Sequence, residues 1–230
     1  MAGVLNALRS LLRFCRDVLG LQALDPRLVR VPRIPRREVV YLTKEEVEQF
    51  LSVIIGPGES IEKVPVGRVR FRALVEVLLG TGARISEVLS LDRSDIDFER
   101  KQAKIIGKGR KQRVLFFTDR ALEWLGQYLA RRRDDDSPLF VSRGVPARRL
   151  TYEVVKNLFR AANKRARLRK KVSAHILRHT MATTLLFNGC PIGHIKELLG
   201  HERLDTTCRY YLAVDIRAAR AAHQTFLRYD

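Results

Sequence analysis

Apolar residues recur at helical spacing along most of the chain and alternate only in one short stretch near its middle. The first predicted helix carries leucines on one face and arginines on another, and it stops at Gly20. A capping box, Thr43 followed by Glu46, predicts a helix over residues 44–53. Further helices are predicted over 67–79, from about 84, from 119, from 174, 191 and 205, and over 213–227.

Period-two alternation is confined to residues 96–117, where three segments are predicted to be short strands: 96–98, 103–106 and 113–117. The second turn between them is the sequence GKGRK, residues 107–111. Two glycines with three basic residues predict a flexible, positively charged hairpin tip. The predicted fold is therefore mainly α-helical with a small three-stranded antiparallel β-sheet, an α+β protein.

A basic, proline-rich stretch separates two regions of the chain. Residues 25–40 contain three prolines among five arginines, without periodicity, which predicts an extended linker. We accordingly divide the chain into a residual N-terminal helix (1–24), a linker (25–40) and a catalytic domain that ends in a helical segment (41–230).

The charge balance predicts an anionic partner. The chain has 44 Lys and Arg against 25 Asp and Glu, for a formal net charge of +19. No apolar run approaches the roughly 20 residues of a membrane-spanning helix, so nucleic acid is favoured over a membrane. Three scattered cysteines form no disulfide framework and fit the reducing cytoplasm. The spacing of the Cys and His residues in 190–208 matches no common structural zinc pattern, and no metal is predicted.

Several segments carry residues suited to phosphate chemistry. His175 and Arg178 lie three apart on a predicted helix and therefore share a face. Arginine captures phosphate through two N–H groups, and histidine exchanges protons near neutral pH. Arg84 follows a glycine turn at the start of a helix, where anions are favoured. A helix that ends at Gly200 exposes His201 at its edge. Each of these residues alone is more typical of an ordinary surface.

The order of these segments resembles the tyrosine recombinase family, which includes the phage integrases and the Xer recombinases. The resemblance covers about residues 41–212, in the boxes TGARISEVLSL, IIGKGRKQRVLFF, AHILRHT and LLGH, followed by a tyrosine nine positions after the last histidine. It implies a tyrosine recombinase fold and a set of catalytic residues: Arg84, Lys108, His175, Arg178, His201 and the nucleophile Tyr210.

This resemblance implies that Tyr210 attacks a DNA phosphate and forms a 3′-phosphotyrosyl link with release of a 5′-hydroxyl. Arg84 and Arg178 would neutralise the non-bridging oxygens, to which the later histidine adds a hydrogen bond. Lys108 would protonate the leaving oxygen, and His175 would assist removal of the phenolic proton. Because the covalent link conserves the bond energy, no ATP or other cofactor is expected.

Three further residues lie close in sequence to these catalytic candidates. Tyr211 competes with Tyr210 as nucleophile, but adjacent helical residues point about 100° apart, so only one of them can face the phosphate. The nine-residue spacing from His201 favours Tyr210. Glu87, one helical turn after Arg84, would orient that arginine. His179 is expected to pack or to form local hydrogen bonds.

Basic residues near the hairpin and near residue 167 are predicted to contact DNA: Arg110, Lys111, Arg113, Lys164, Arg165, Arg167, Lys170 and Lys171. The family usually carries an N-terminal DNA-clamping domain, whereas about one helix precedes Asp25 here. Weak, strongly salt-dependent binding is therefore expected.

The resemblance implies a site-specific recombinase that forms and resolves Holliday junctions on double-stranded DNA, as a homotetramer assembled through the C-terminal segment. A type IB topoisomerase would use similar chemistry without strand exchange, and an architectural DNA-binding protein would need only the charge. An acidic group, Asp92, Asp95 and Asp97, raises the alternative of a metal nuclease, against which solvated carboxylates at strand edges are favoured.

Overall fold

The structure is a computed structural model that describes residues 2–32, 39–106, 112–142 and 148–200. The chain divides into two compact units, residues 1–38 and 39–230. In the first, α1 (Ala2–Asp17) is followed by a single 3₁₀ turn at Pro26–Leu28. The Asp25 side chain caps this turn by accepting from the backbone N–H of Arg27. The linker predicted to be extended thus contains a helical turn in its described part.

The second unit is mainly helical. In its described ranges its helices are α2 (Lys44–Ser52), α3 (Val66–Thr81), α4 (Ile85–Ser90), α5 (Asp119–Ala130), α6 (Tyr152–Ala166), α7 (Ala174–Phe187) and α8 (Ile192–Leu199). The capping box predicted for α2 is present, with Thr43 and Glu46 bonded to each other's backbone N–H groups. Among the described helices of both units, none is long and apolar enough to cross a membrane.

Three short antiparallel strands form the sheet, in the order β1 (Ile96–Asp97), β2 (Gln102–Ile106) and β3 (Gln112–Phe116). Ala103 on the central strand lies between Ile96 and Leu115, and all three side chains are buried. The predicted fold class, mainly α with a small three-stranded antiparallel sheet, is confirmed.

Helix α3 forms the centre of the core, and the helices α5 and α7 pack against it. Its buried residues extend around most of its circumference and include the ion pair of Arg72 with Glu76. A helix buried on nearly all sides is a rigid support. Its C-terminal end is therefore a fixed point from which the functional site is built.

The end of α3 differs from the predicted turn at residues 80–82. The helix continues through Thr81, and only Gly82 leaves it, with a left-handed φ of +59°. Gly80 has a different purpose: a Cβ there would lie 2.8 Å from the Thr118 Oγ1 atom, so glycine allows the cap of α5 to approach. One glycine supplies a backbone conformation and the other supplies space.

Candidate active site

Arg84 lies at the start of α4, two residues after the left-handed Gly82. Its extended backbone places it as the N-cap residue, and its N–H donates to Glu87 Oε2 over 2.7 Å. Its guanidinium donates to Glu87 Oε1 over 2.8 Å. The side chain remains 40% exposed, so it is held in place and still accessible.

Arg178 projects from α7 into the protein interior and is only 6% exposed. Its guanidinium donates to the carbonyl oxygens of Gly82 over 2.7 Å and Leu199 over 2.5 Å. Arg178 is therefore hydrogen-bonded to Gly82, two residues before Arg84. His175, three positions earlier on the same helix, is exposed.

The C-terminal turn of α8 gathers three arginines. The carbonyl oxygens of three consecutive residues, 198, 199 and 200, accept hydrogen bonds from Arg113, Arg178 and Arg84 respectively, the last over a long 3.4 Å. The last carbonyls of a helix have no intrahelical partner and carry a partial negative charge. Gly200 ends the helix with a φ of +62°, as predicted, and His201 follows it outside the described residues.

Glu87 is the buried carboxylate of this cluster and is 7% exposed. Both of its oxygens are used: Oε1 accepts from Arg84, and Oε2 accepts from the Arg84 backbone and from Arg113 over 2.6 Å. Burial acts to raise the pKa of Glu87, but these hydrogen bonds outweigh it and hold the pKa below its ordinary value. Glu87 is therefore ionised at neutral pH and fixes the two arginines.

His175 occupies the exposed side of α7, where its Nε2 atom lies 2.8 Å from the Nε2 atom of His179. The two rings meet edge to face. Burial lowers the pKa of His175, and the positive charge of Arg178 lowers it further. A neutral imidazole is thus favoured, which is the form that can accept a proton. His179 forms the local hydrogen bond expected of it.

A cavity of about 630 Å³ opens beside His175. Its floor is apolar, and its rim carries many cationic side chains: Lys156, Arg160, Lys164, Arg169, Lys170 and Lys171. The predicted DNA contacts Lys164, Lys170 and Lys171 thus lie together next to a candidate catalytic residue. Lys170 also pairs with Glu46 over 2.7 Å.

The remaining predicted DNA contacts lie elsewhere or outside the described chain. Arg165 lines a separate, smaller cavity with Arg68 and Arg70. Arg167 caps α6 in a left-handed conformation with φ of +51°. Arg113 is largely enclosed, with both Nη atoms bonded inside the protein. Residues outside the described ranges include Lys108, Arg110, Lys111, His201, Tyr210 and Tyr211.

The acidic group considered as a nuclease site is used structurally. Asp92 pairs with Arg149 over 2.6 Å, Asp95 accepts from the Asp92 backbone, and Asp97 accepts from the backbone N–H of Arg100. Within the described ranges, no group of three or more His, Cys, Asp or Glu side chains is arranged to hold a metal ion. These carboxylates are therefore caps and ion-pair partners.

Solved structures share this architecture. The crystal structure of XerA recombinase matches 96% of this chain with a TM-score of 0.67 and 29% sequence identity, over 75% of its own chain. XerH recombinase in its post-cleavage complex with the palindromic difH substrate matches 81% of this chain with a TM-score of 0.66 and 28% identity, over 53% of its own chain. The fold is that of a tyrosine recombinase catalytic domain.

Sequence relatives give the same result. Residues 40–217 match the phage integrase family. The XerA recombinase of Thermococcus onnurineus is 36% identical over 225 residues, which cover 96% of this chain and 73% of the relative. XerC of Chlamydia muridarum is 33% identical over 211 residues, 90% of this chain and 64% of the relative, so the chain spans less than two thirds of that protein. The chain belongs to the phage integrase family, as its motifs predicted.

Proposed function

We propose that this chain is a site-specific DNA recombinase, which cleaves and rejoins strands through a 3′-phosphotyrosyl link to Tyr210 and so forms and resolves Holliday junctions. The observation that carries the proposal is the joint fixation of Arg84 and Arg178. Both donate to the last turn of α8, immediately before His201. Two guanidiniums held on one rigid turn suit the charge of a phosphoryl group in its transition state.

In the proposed reaction the phenolic oxygen of Tyr210 forms a bond to phosphorus, and the bond from phosphorus to the 5′-oxygen breaks. His175 accepts the phenolic proton, for which its neutral form is required, and Lys108 gives a proton to the leaving oxygen. Arg84 and Arg178 stabilise the charge on the non-bridging oxygens. The reverse sequence, with the 5′-hydroxyl of another strand as attacker, completes strand exchange without an external energy source.

The basic rim of the cavity is the proposed DNA-binding surface. Lys164 and Lys171 belong to it, with Arg167 nearby in sequence and Arg110 and Lys111 on the hairpin as further proposed contacts. Related recombinases have been solved with DNA, among them XerH with difH and the Tn1549 integrase with circular intermediate DNA. Each phosphate contact should contribute a slope of about −0.9 to log K against log salt. Binding that is nearly constant between low and moderate salt would contradict this surface.

The proposal also covers the oligomeric state of the protein and its place in the cell. Strand exchange between two duplexes requires several active sites, so we expect a homotetramer on paired DNA sites, joined through the C-terminal segment, acting in the cytoplasm. Deletion of the residues beyond Val214 should abolish assembly on DNA, as measured by sedimentation. Unchanged assembly after this deletion would rule out the segment as the contact.

The decisive experiment uses a nicked duplex suicide substrate, from which a short fragment leaves after cleavage and traps the covalent product. The parent protein should form an adduct that survives denaturation, and Tyr210→Phe should form none. Tyr211→Phe is the matched control and should retain the adduct. Loss only in Tyr211→Phe would reassign the nucleophile, and no adduct in any sample would leave a DNA-binding protein without cleavage. Relaxation of supercoils by a monomer without Holliday junctions would indicate a topoisomerase.

A further inference from the structure

We infer that Arg113 is a positioning residue of the cleavage site, which orients Arg84 through Glu87 and fixes the end of α8 through the Leu198 carbonyl. The inference rests on the proposed function for what the site does. It assigns Arg113 a role inside the protein in place of the DNA contact that its charge suggested.

Arg113 is directed inward by the pleat of β3. Leu115 and Phe117, two and four positions later, lie on the same face and are buried, and Ile105 pairs with Arg113 across the sheet and is buried too. Successive side chains of a strand point to opposite faces, so the guanidinium of Arg113 is delivered to the core side. Its side chain is 13% exposed.

At that point the guanidinium joins three elements. Its Nη2 atom donates to Glu87 Oε2 on α4 over 2.6 Å, and its Nη1 atom donates to the Leu198 carbonyl at the end of α8. The planar guanidinium presents several donors in fixed directions, which a lysine ammonium cannot reproduce. Arg113 thus sets the spacing between the helix that carries Arg84 and the helix that precedes His201.

The shared carboxylate transmits the effect to Arg84. Glu87 Oε2 accepts from both Arg113 and the Arg84 backbone, and Oε1 accepts from the Arg84 guanidinium. Without Arg113, the buried Glu87 would lose one of its two cationic partners and would be free to shift toward the other. The direction of the Arg84 guanidinium would then no longer be fixed. Misplacement by about 1 Å can slow a reaction by about 100-fold.

The chain offers a matched control in Arg149. Its Nη1 atom donates to the carbonyls of Leu89 and Leu91, both over 2.9 Å, and its Nη2 atom donates to an Asp92 carboxylate over 2.6 Å. It therefore bridges backbone carbonyls and a carboxylate, as Arg113 does, but these hydrogen bonds go to Leu89, Leu91 and Asp92 and not to Arg84 or Glu87. Substituting it tests the general cost of losing such a bridge.

The experiment measures the single-turnover rate at which the full chain forms the adduct at saturating suicide substrate. Each rate is divided by the fraction of molecules that are folded, which is measured by urea unfolding. Arg113→Gln should slow the reaction by about 100-fold, and Arg113→Lys should recover only part of the loss. Arg149→Gln should leave the rate per folded molecule nearly unchanged, because Arg149 holds the other end of α4 and shares no hydrogen-bond partner with Arg84. Equal slowing by the two Gln variants would overturn the inference.

Two further readouts separate positioning from general stability. A methylphosphonate at the scissile position carries a methyl group in place of one non-bridging oxygen and is uncharged, so the Arg113→Gln defect, which acts through charge neutralisation by Arg84, should shrink on that substrate. In an Arg84→Ala background, Arg113→Gln should slow cleavage by less than it does alone. The inference would be refuted, with the proposed function intact, if Arg113→Gln slowed cleavage by the same factor with and without Arg84→Ala, or if Arg113→Gln alone left the rate unchanged. A parent protein that forms no adduct would overturn the proposed function and this inference with it.

Discussion

Gly200 is the position at which one added methyl group most directly perturbs the cluster of arginines at the end of α8. Its φ is +62°, and a Cβ there would lie 2.8 Å from Cδ, 3.0 Å from Nε and 3.3 Å from Cζ of Arg113. Real Cβ contacts are essentially never so short, so the arginine stem must move. Because its far end is held by Glu87 and by the Leu198 carbonyl, movement of the stem breaks one or both of those hydrogen bonds.

The cost of Gly200→Ala has two parts. A left-handed backbone costs a non-glycine residue roughly 1–2 kcal/mol. Loss of one hydrogen bond to a charged group costs a further 1.5–3 kcal/mol, approximately. We expect the free energy of unfolding to fall by about 2.5–5 kcal/mol. The cleavage rate should fall too, because Glu87, which holds Arg84, loses its bond to Arg113.

Gly189→Ala separates these parts. Gly189 also has a left-handed backbone, with φ of +81°, but no described atom lies within 4 Å of the position its Cβ would take. Urea unfolding should show a loss of roughly 1–2 kcal/mol for this control, with an unchanged cleavage rate per folded molecule. If the two alanine variants were destabilised equally, the steric contact with Arg113 would carry no weight and the reasoning would be refuted.

Three other predictions concern titration and buried hydroxyl groups. The pKa of Glu87 is lowered from 4.5 in the folded protein, so its ionised form stabilises the fold fully above pH 4.5, and this stabilisation is lost as the pH falls through the folded pKa. When urea unfolding is measured against pH, Glu87→Gln should lack this loss of stability in acid. Since the pKa of His175 is lowered from 6.5, the loss of cleavage rate that protonation of His175 causes should begin only below pH 6.5. An inflection above pH 6.5 that disappears in His175→Gln would contradict the assignment. Thr180→Val should lower the free energy of unfolding by about 1–3 kcal/mol in thermal or urea unfolding, because the Leu42 N–H loses its acceptor. The buried Thr183 hydroxyl has no described partner, so Thr183→Val should leave the free energy of unfolding nearly unchanged.

The helices and strands were predictable where local rules apply. The capping box at Thr43, the hairpin pattern and the glycine after α8 each act within a few residues, and each prediction is confirmed. The end of α3 was placed two residues early because Gly80 resembles a turn glycine in sequence. Its actual role is a close approach to Thr118, 38 positions away, which no local pattern contains.

The order of motifs named candidate side chains for the site, but the groups that hold these side chains could not be predicted. Arg84 and Arg178 were found from the order of motifs, whereas their shared anchor is a set of backbone carbonyls, which every sequence possesses. The enclosure of Arg113 did leave a signal: it alternates with the apolar residues 115 and 117, and so belongs to the buried face of its strand. Its charge suggested DNA contact and outweighed that signal.

The use of carbonyls as anchors has an electrostatic consequence. Of the four side chains joined near the end of α8, three are guanidiniums and one, Glu87, is a carboxylate, so the group has a formal net charge of 3 − 1 = +2. A carboxylate for every arginine would have fixed them equally well but would have cancelled the charge that a phosphate requires. Carbonyl dipoles of a helix end hold cations without neutralising them. In the proposed reaction the rigid turn would therefore keep both order and positive potential available, which is the condition for electrostatic catalysis by preorganised groups.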